Sequence, residues 1–259
     1  MAICPSRRFR PIGRVFFFFV ILGARRLAPR QTHRENRMLN RDAICSGAYL
    51  ESFDSLPKDI LWTQARIDQS LKETMALRPT NHDVWVFAYG SLMWNPISRY
   101  DERVIATLHG WHRSFSLRAV AGRGTPERPG RMLSLEPGGS TEGVVLRIPE
   151  ATLDDEMRIL WIREMVTGAY APTWAPVTFR SGEEGYAVVF VADPLHAHYE
   201  ADTRPASIAP LIAAASGMFG SNTEYVFKLQ RALAECEMED AYIDELAAEL
   251  ARIGAVSGA

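Results

Sequence analysis

The sequence predicts an α+β protein: a curved or closed, mostly antiparallel β-barrel with flanking helices and the C-terminal helices packed against it. Three observations carry that reading. Strand-like runs crowd the middle of the chain from Val84 to Ala192, one helical period interrupts them near Thr152–Met165, and the period turns helical after Ala206. With 259 residues and 47% hydrophobic composition, the chain can bury a sizeable core.

Residues 1–41 hold ten arginines against a single acid, Glu35, inside a chain whose net charge is −2. The apolar run Val15–Leu22 is short for a signal peptide, and Arg25-Arg26 stands where a small-residue cleavage site belongs. A membrane-surface anchor is the other reading of this run. We read residues 1–41 as a basic, disordered extension, with Met38 as the more natural start. Residues 42–81 read as an N-terminal helical segment. Leu61, Ile67, Leu71 and Met75 recur at helical spacing over residues 56–77, and Arg78-Pro79-Thr80-Asn81 ends the helix. The main domain then spans residues 82–253, followed by a flexible tail, 254–259.

Within that domain Val84–Tyr89 is a wholly apolar run, the mark of a buried strand. Trp111–Val120 alternates as a half-buried strand, and Gly122–Arg131 is a Gly/Pro/Arg loop. Met132–Leu135 and Gly143–Ile148 read as two strands separated by Pro137-Gly138-Gly139. A helix over Thr152–Met165, strands at Ala169–Phe179 and Tyr186–Ala192, and helices at Ala206–Ser216, Glu224–Glu235 and Ala241–Ile253 complete the chain.

Composition excludes several classes. A net charge of −2 argues against a nucleic-acid partner. Cys4, Cys45 and Cys236 are scattered, which removes a disulfide scaffold, a zinc ribbon and an iron–sulfur site, and free thiols suit the cytoplasm. No run of 18 apolar residues supports stable membrane insertion. His109 with His112, and His196 with His198, lack a third ligand, so no metal is expected.

Glu164 is the informative acid. Leu153, Met157 and Leu160 share one helical face and Glu164 falls on it, whereas Asp154, Asp155 and Glu156 lie away from the middle of that stripe. A core-side carboxylate is costly unless paired, and desolvation raises its pKa toward the range useful in acid–base catalysis. Pairing with Arg163 at a fraying helix end is the structural alternative. Tyr89-Gly90-Ser91-Leu92 follows the buried strand, where a glycine lets the backbone turn and present N–H groups to an anion or carbonyl oxygen. Arg123, Arg128 and Arg131 stand on a stiffened loop able to receive a carboxylate or phosphate.

Together these segments resemble the ChaC family of glutathione-specific γ-glutamylcyclotransferases. The resemblance rests on Val84–Pro96 (VWVFAYGSLMWNP), Arg123–Arg131 (RGTPERPGR), Arg163-Glu164-Met165 with Gly168-Ala169-Tyr170, and Gly220–Tyr225 (GSNTEY), in that order. Residues 1–80 fall outside it. The family's G-Y-G-S-L stands here as Ala88-Tyr89-Gly90-Ser91-Leu92, a change that bears on substrate choice more than on the reaction. The resemblance implies a small barrel, no cofactor, and cleavage of glutathione to 5-oxoproline and Cys-Gly. It makes Glu164 the catalytic carboxylate and Val86, Phe87, Ala88, Tyr89, Gly90, Ser91 and Leu92 the substrate cradle. In that setting Arg123 would attract the distal glycine carboxylate, and Tyr170 and Tyr199 are candidate hydroxyl donors. A cyclotransferase for another γ-glutamyl amine and a non-catalytic γ-glutamyl-binding module are the alternatives.

Overall fold

Five consecutive apolar residues, Val84–Ala88, form strand β1, and all five are buried. An all-apolar strand is what a position between two neighbours, covered on both faces, requires. β1 pairs antiparallel with β3 (Gly130–Ile148), from Val84 opposite Ile148 to Ala88 opposite Val144. On its other edge β1 pairs parallel with β5 (Glu184–Ala192) through Trp85 opposite Ala187 and Val86 opposite Val188. With β2 (Glu102–Ala119) and β4 (Tyr170–Phe179), the strands close a barrel in the order β1-β3-β2-β4-β5. Closure is local: β4 pairs with β2 only at Ala106–Leu108 and β1 with β3 only at Val144–Ile148, so the long arms of β2 and β3 run on beyond the barrel as a two-stranded ribbon. The computed structural model describes residues 39–54, 56–80 and 82–257, so the readings for Met38 and the stretch before it lie outside the described residues.

The helices are α1 (Arg41–Ser46), α2 (Ala48–Glu51), α3 (Gln64–Ala76), α4 (Leu153–Glu164), α5 (Pro205–Ala214), α6 (Asn222–Glu235) and α7 (Ala241–Ser257). Helix α4 crosses from β3 to β4 and packs on α3, and α5 to α7 pack on one another and on β2 and β3. A two-residue ladder, β6 (Ser216–Gly217) with β7 (Gly220–Ser221), projects Met218 and Phe219 at its tip.

Three expectations change in detail. The two strands around Pro137-Gly138-Gly139 are one strand, β3, because Gly138 and Gly139 adopt φ of 110° and 69° and absorb a bulge while pairing continues. β2 begins at Glu102 rather than Trp111: Glu102, Arg103 and Gly110 dilute its alternation, yet Ala106 and Leu108 turn inward. The helix read over 56–77 begins only at Gln64, where the Thr63 hydroxyl accepts from the Arg66 N–H as N-cap. Trp62 is thereby released to lie over Gly168, where any Cβ would run into the indole ring. Among the described residues no helix is long and apolar enough to cross a membrane.

Candidate active site

Helix α4 places two carboxylates in the interior and treats them oppositely. Glu156, which the stripe had put aside, is 1% exposed. Arg41 donates to both its oxygens at 2.6 and 2.8 Å, and the Arg99 N–H adds a third bond at 2.8 Å. Burial pushes its pKa up, but these donors outweigh it and hold the carboxyl below its usual value. Glu156 is therefore a structural acid, fixing α1 to α4. Glu164, two turns on, is different. Its side chain keeps 14% of its surface, and its Oε1 is buried without a hydrogen-bond partner among the described residues. Burial raises its pKa, and Arg163 only partly opposes this.

Glu164 lines a cavity of about 170 Å³ and a smaller recess of about 30 Å³ behind it, and Ser91, Tyr170 and Tyr225 line both. Tyr89, Gly90, Leu92, Leu133 and Phe190 complete the recess. The turn that shapes it follows directly from β1: Gly90 caps a 3-10 turn, Ser91–Met93, whose leading N–H groups have no acceptor within the turn. Gly90 has to be glycine here, since a Cβ would meet the Tyr225 hydroxyl at 2.8 Å and Leu133 Cδ2 at 3.0 Å. Burial pushes the Tyr225 hydroxyl up to about 12 despite its bond from the Ser91 N–H, so it stays protonated at neutral pH. Tyr89 and Tyr170 are likewise held protonated by burial, donating to Phe190 O at 2.6 Å and Leu133 O at 2.8 Å.

The outer cavity is walled by Tyr49 and Phe53 of the N-terminal segment and by Phe219 of the β6–β7 tip. Tyr49 stacks on Phe219 at 6.3 Å, Phe53 meets Phe219 edge-on at 6.2 Å, and the Tyr49 hydroxyl donates to Arg163 O at 3.0 Å. The arrangement is a small polar recess that holds a carboxylate beside the turn after β1 and shares Ser91, Glu164, Tyr170 and Tyr225 with a wider chamber.

A family model described as ChaC-like protein matches residues 84–253, well over half the chain. The chain belongs to the ChaC family. The glutathione-specific gamma-glutamylcyclotransferase of Escherichia coli (strain K12) is 46% identical to it over 209 residues, 81% of this chain and 90% of that protein. Human glutathione-specific gamma-glutamylcyclotransferase 1 is 30% identical over 159 residues, 59% of this chain and 71% of its own. A crystal structure of a gamma-glutamyl cyclotransferase specific to glutathione from yeast superposes with a TM-score of 0.61 at 25% identity, covering 66% of this chain and 97% of that one. A share of 81% cannot fit between Val84 and the C-terminus, so the likeness to the E. coli protein reaches into the segment before β1. The family model itself begins at Val84, where the resemblance was read, and the likeness to this one relative extends further toward the N-terminus.

Within this ChaC-family chain, the structure brings Glu164, Tyr89, Gly90, Ser91, Leu92 and Tyr170 to one recess and Arg123 to the outer cavity. Val86, Phe87 and Ala88 line neither space; they are at most 1% exposed, packed in the barrel core as β1 demands. Tyr199 also lines neither, and its hydroxyl donates to Glu136 Oε1 at 2.5 Å. Sequence reasoning gave no role to Tyr225, Arg118 or Tyr49, and named Arg163 only as a structural partner for Glu164, which it is: its Nε lies 2.9 Å from Glu164 Oε1. Tyr225 sat inside a quoted motif, which was the available signal; Tyr49 carried none.

Proposed function

We propose that this protein is a glutathione-specific γ-glutamylcyclotransferase that folds the γ-glutamyl unit back on itself and releases 5-oxoproline and Cys-Gly. The observation that carries the proposal is Glu164: largely buried, ion-paired with Arg163 yet with an Oε1 that accepts no hydrogen bond, and lining with the Gly90–Leu92 turn a recess too small for much beyond one amino-acid head group. The α-amino nitrogen attacks its own γ-carbonyl carbon, forming the lactam C–N bond as the old amide C–N bond breaks. Ionised Glu164 takes a proton from the ammonium and returns one to the departing amine of the cysteine residue, so no water and no cofactor enter. Holding the bent conformer supplies most of the remaining acceleration. The turn at Gly90–Leu92 offers backbone N–H groups to the α-carboxylate or the developing oxyanion, the Ser91 N–H being shared with the Tyr225 hydroxyl, and Tyr170 and Tyr225 keep the recess polar yet uncharged. The reading takes glutathione as the substrate because the E. coli relative, 46% identical, is glutathione-specific. Free Cys45 and Cys236 fit a reducing cytoplasm.

Incubation of purified protein with glutathione, and separately with γ-glutamyl-alanine, tests the reading. Release of Cys-Gly with 5-oxoproline supports it. Turnover of γ-glutamyl-alanine alone would replace it with a cyclotransferase for another γ-glutamyl amine, and binding without any turnover would leave a non-catalytic module.

A further inference from the structure

Arg118 and Arg131 face each other directly across β2 and β3, both lining the outer cavity. Two like charges at opposed strand positions are destabilising, and the fold goes out of its way to create the pair. From Trp111 to Ser114 the register places Ser114 opposite Ser134, and continued unchanged it would set Leu117 opposite Arg131; a bulge between Ser114 and Leu117 advances it by one residue and brings Arg118 there instead. Arg131 is then held rigidly: the Asn222 side chain, 1% exposed, accepts from the Arg131 N–H at 2.7 Å and donates to its carbonyl at 3.0 Å. The Arg131 side chain is 8% exposed, and its Nε is buried with no hydrogen-bond partner among the described residues. Glu200 is the counter-charge, 3.4 Å from Arg118 and 3.5 Å from Arg131, which leaves the trio one positive charge in excess. A buried guanidinium with an idle donor, beside a second arginine and short of one negative charge, is a receptor for a carboxylate.

We propose that Arg118 and Arg131 bind the free carboxylate at the far end of the γ-glutamyl substrate, which in glutathione is the glycine carboxylate. The proposal rests on the cyclotransferase reading and assigns the end of the substrate that the recess does not hold. Spacing agrees. Leu133 lines the recess and Arg131 projects from the same face of β3 two residues away, about 7 Å along the strand. A Cys-Gly tail of two residues spans at most about 7 Å. Arg123, the sequence-level candidate for this carboxylate, is otherwise engaged: its Nη1 donates to Ser221 O at 3.1 Å, lies 3.6 Å from Glu224, and its guanidinium sits 5.7 Å from the Tyr225 ring centre. That places it as a strut for β7 and Tyr225. The consequence is a specificity rule: substrates need a carboxylate two residues beyond the γ-glutamyl bond.

The test compares glutathione with its glycyl ethyl ester, which differs only in lacking that charge. Wild-type KM should be about tenfold or more higher for the ester with kcat little changed, the usual worth of a charged hydrogen bond. In Arg118→Gln the KM for glutathione should rise toward that of the ester, while the KM for the ester moves far less. Arg131→Lys, which keeps the charge at the buried position, should retain more of the discrimination than Arg131→Gln. Equal wild-type KM values for the two substrates overturn the proposal, as does an Arg118→Gln variant that still discriminates fully. Calorimetric titration of both compounds into Glu164→Gln repeats the comparison without turnover. A wild type that binds glutathione more tightly than the ester but makes no 5-oxoproline would defeat the cyclotransferase reading and leave the carboxylate receptor standing.

Discussion

Arg163 Nε sits 2.9 Å from Glu164 Oε1, yet that oxygen accepts no hydrogen bond. The guanidinium is turned elsewhere: Nη1 donates to Asn95 O and Nη2 to Ser91 Oγ at 2.9 Å. One side chain thus ties the turn after β1 to the end of α4 and sets the carboxylate beside a positive charge without occupying its lone pairs. A carboxylate so placed remains available to a substrate ammonium. Arg163 lowers the Glu164 pKa against the larger effect of burial. Arg163→Met removes that restraint, so the carboxyl ionises at higher pH and the acidic limb of the kcat–pH profile should move upward. An unmoved limb would show that Glu164 does not govern it.

Stability should respond to Glu164 in the opposite sense from activity. Its folded-state pKa is raised above the unfolded value, so the associated stabilisation is complete below the unfolded pKa and is lost as pH rises through the folded pKa. Near neutral pH the wild type carries the cost of an ionised, buried carboxylate, which glutamine does not. Thermal unfolding should therefore show Glu164→Gln at least as stable as wild type at pH 7–8, with the difference closing toward pH 4. A variant markedly less stable at neutral pH would contradict this.

The close approach of Gly90 and Tyr225 gives a coupled pair. Gly90→Ala inserts a Cβ 2.8 Å from the Tyr225 hydroxyl, an overpacking worth about 1–3 kcal/mol. Tyr225→Phe loses the bond from the Ser91 N–H, about 1 kcal/mol. Because phenylalanine vacates the atom the new methyl strikes, the double variant should be more stable than the two single costs predict. Denaturant unfolding of the four proteins measures the difference; strict additivity would mean that the contact carries no strain.

The barrel was legible in part because β1 advertises itself as five consecutive apolar residues, whereas α4 is buried on nearly every face and its stripe of Leu153, Met157 and Leu160 is only part of what it hides. What escaped was whatever depends on partners distant in sequence. Glu156 looked peripheral on a wheel, but Arg41, 115 residues away, makes its burial affordable. Glu164 was visible as a carboxylate on a core face, while the reason it stays unsatisfied lies in where Arg163 points. The Arg118–Arg131 opposition depends on a one-residue bulge, and no periodicity registers that. Val86, Phe87 and Ala88 entered the expected cradle through their place beside Tyr89, but strand geometry holds them in the core.

The N-terminal segment contributes to the cavity as well as to the fold. Leu39, Tyr49 and Phe53 line the chamber, and Arg41 neutralises buried Glu156. Removing residues 1–37 should leave folding and turnover intact, whereas removing residues 1–62 should impair both. Arg41→Ala alone should cost about 3 kcal/mol, the low end for breaking a buried pair. Circular dichroism melts and glutathione turnover of the truncated proteins check this; full activity without residues 1–62 would show that the segment is dispensable.

The central claim is that one buried carboxylate moves the protons of ring closure. Its most direct measurement is the kcat of Glu164→Gln with saturating glutathione, followed by 5-oxoproline release, alongside calorimetric binding of glutathione to the same variant. The account predicts a fall of about 10²-fold or more in kcat with affinity retained. A kcat near that of the wild type would contradict it.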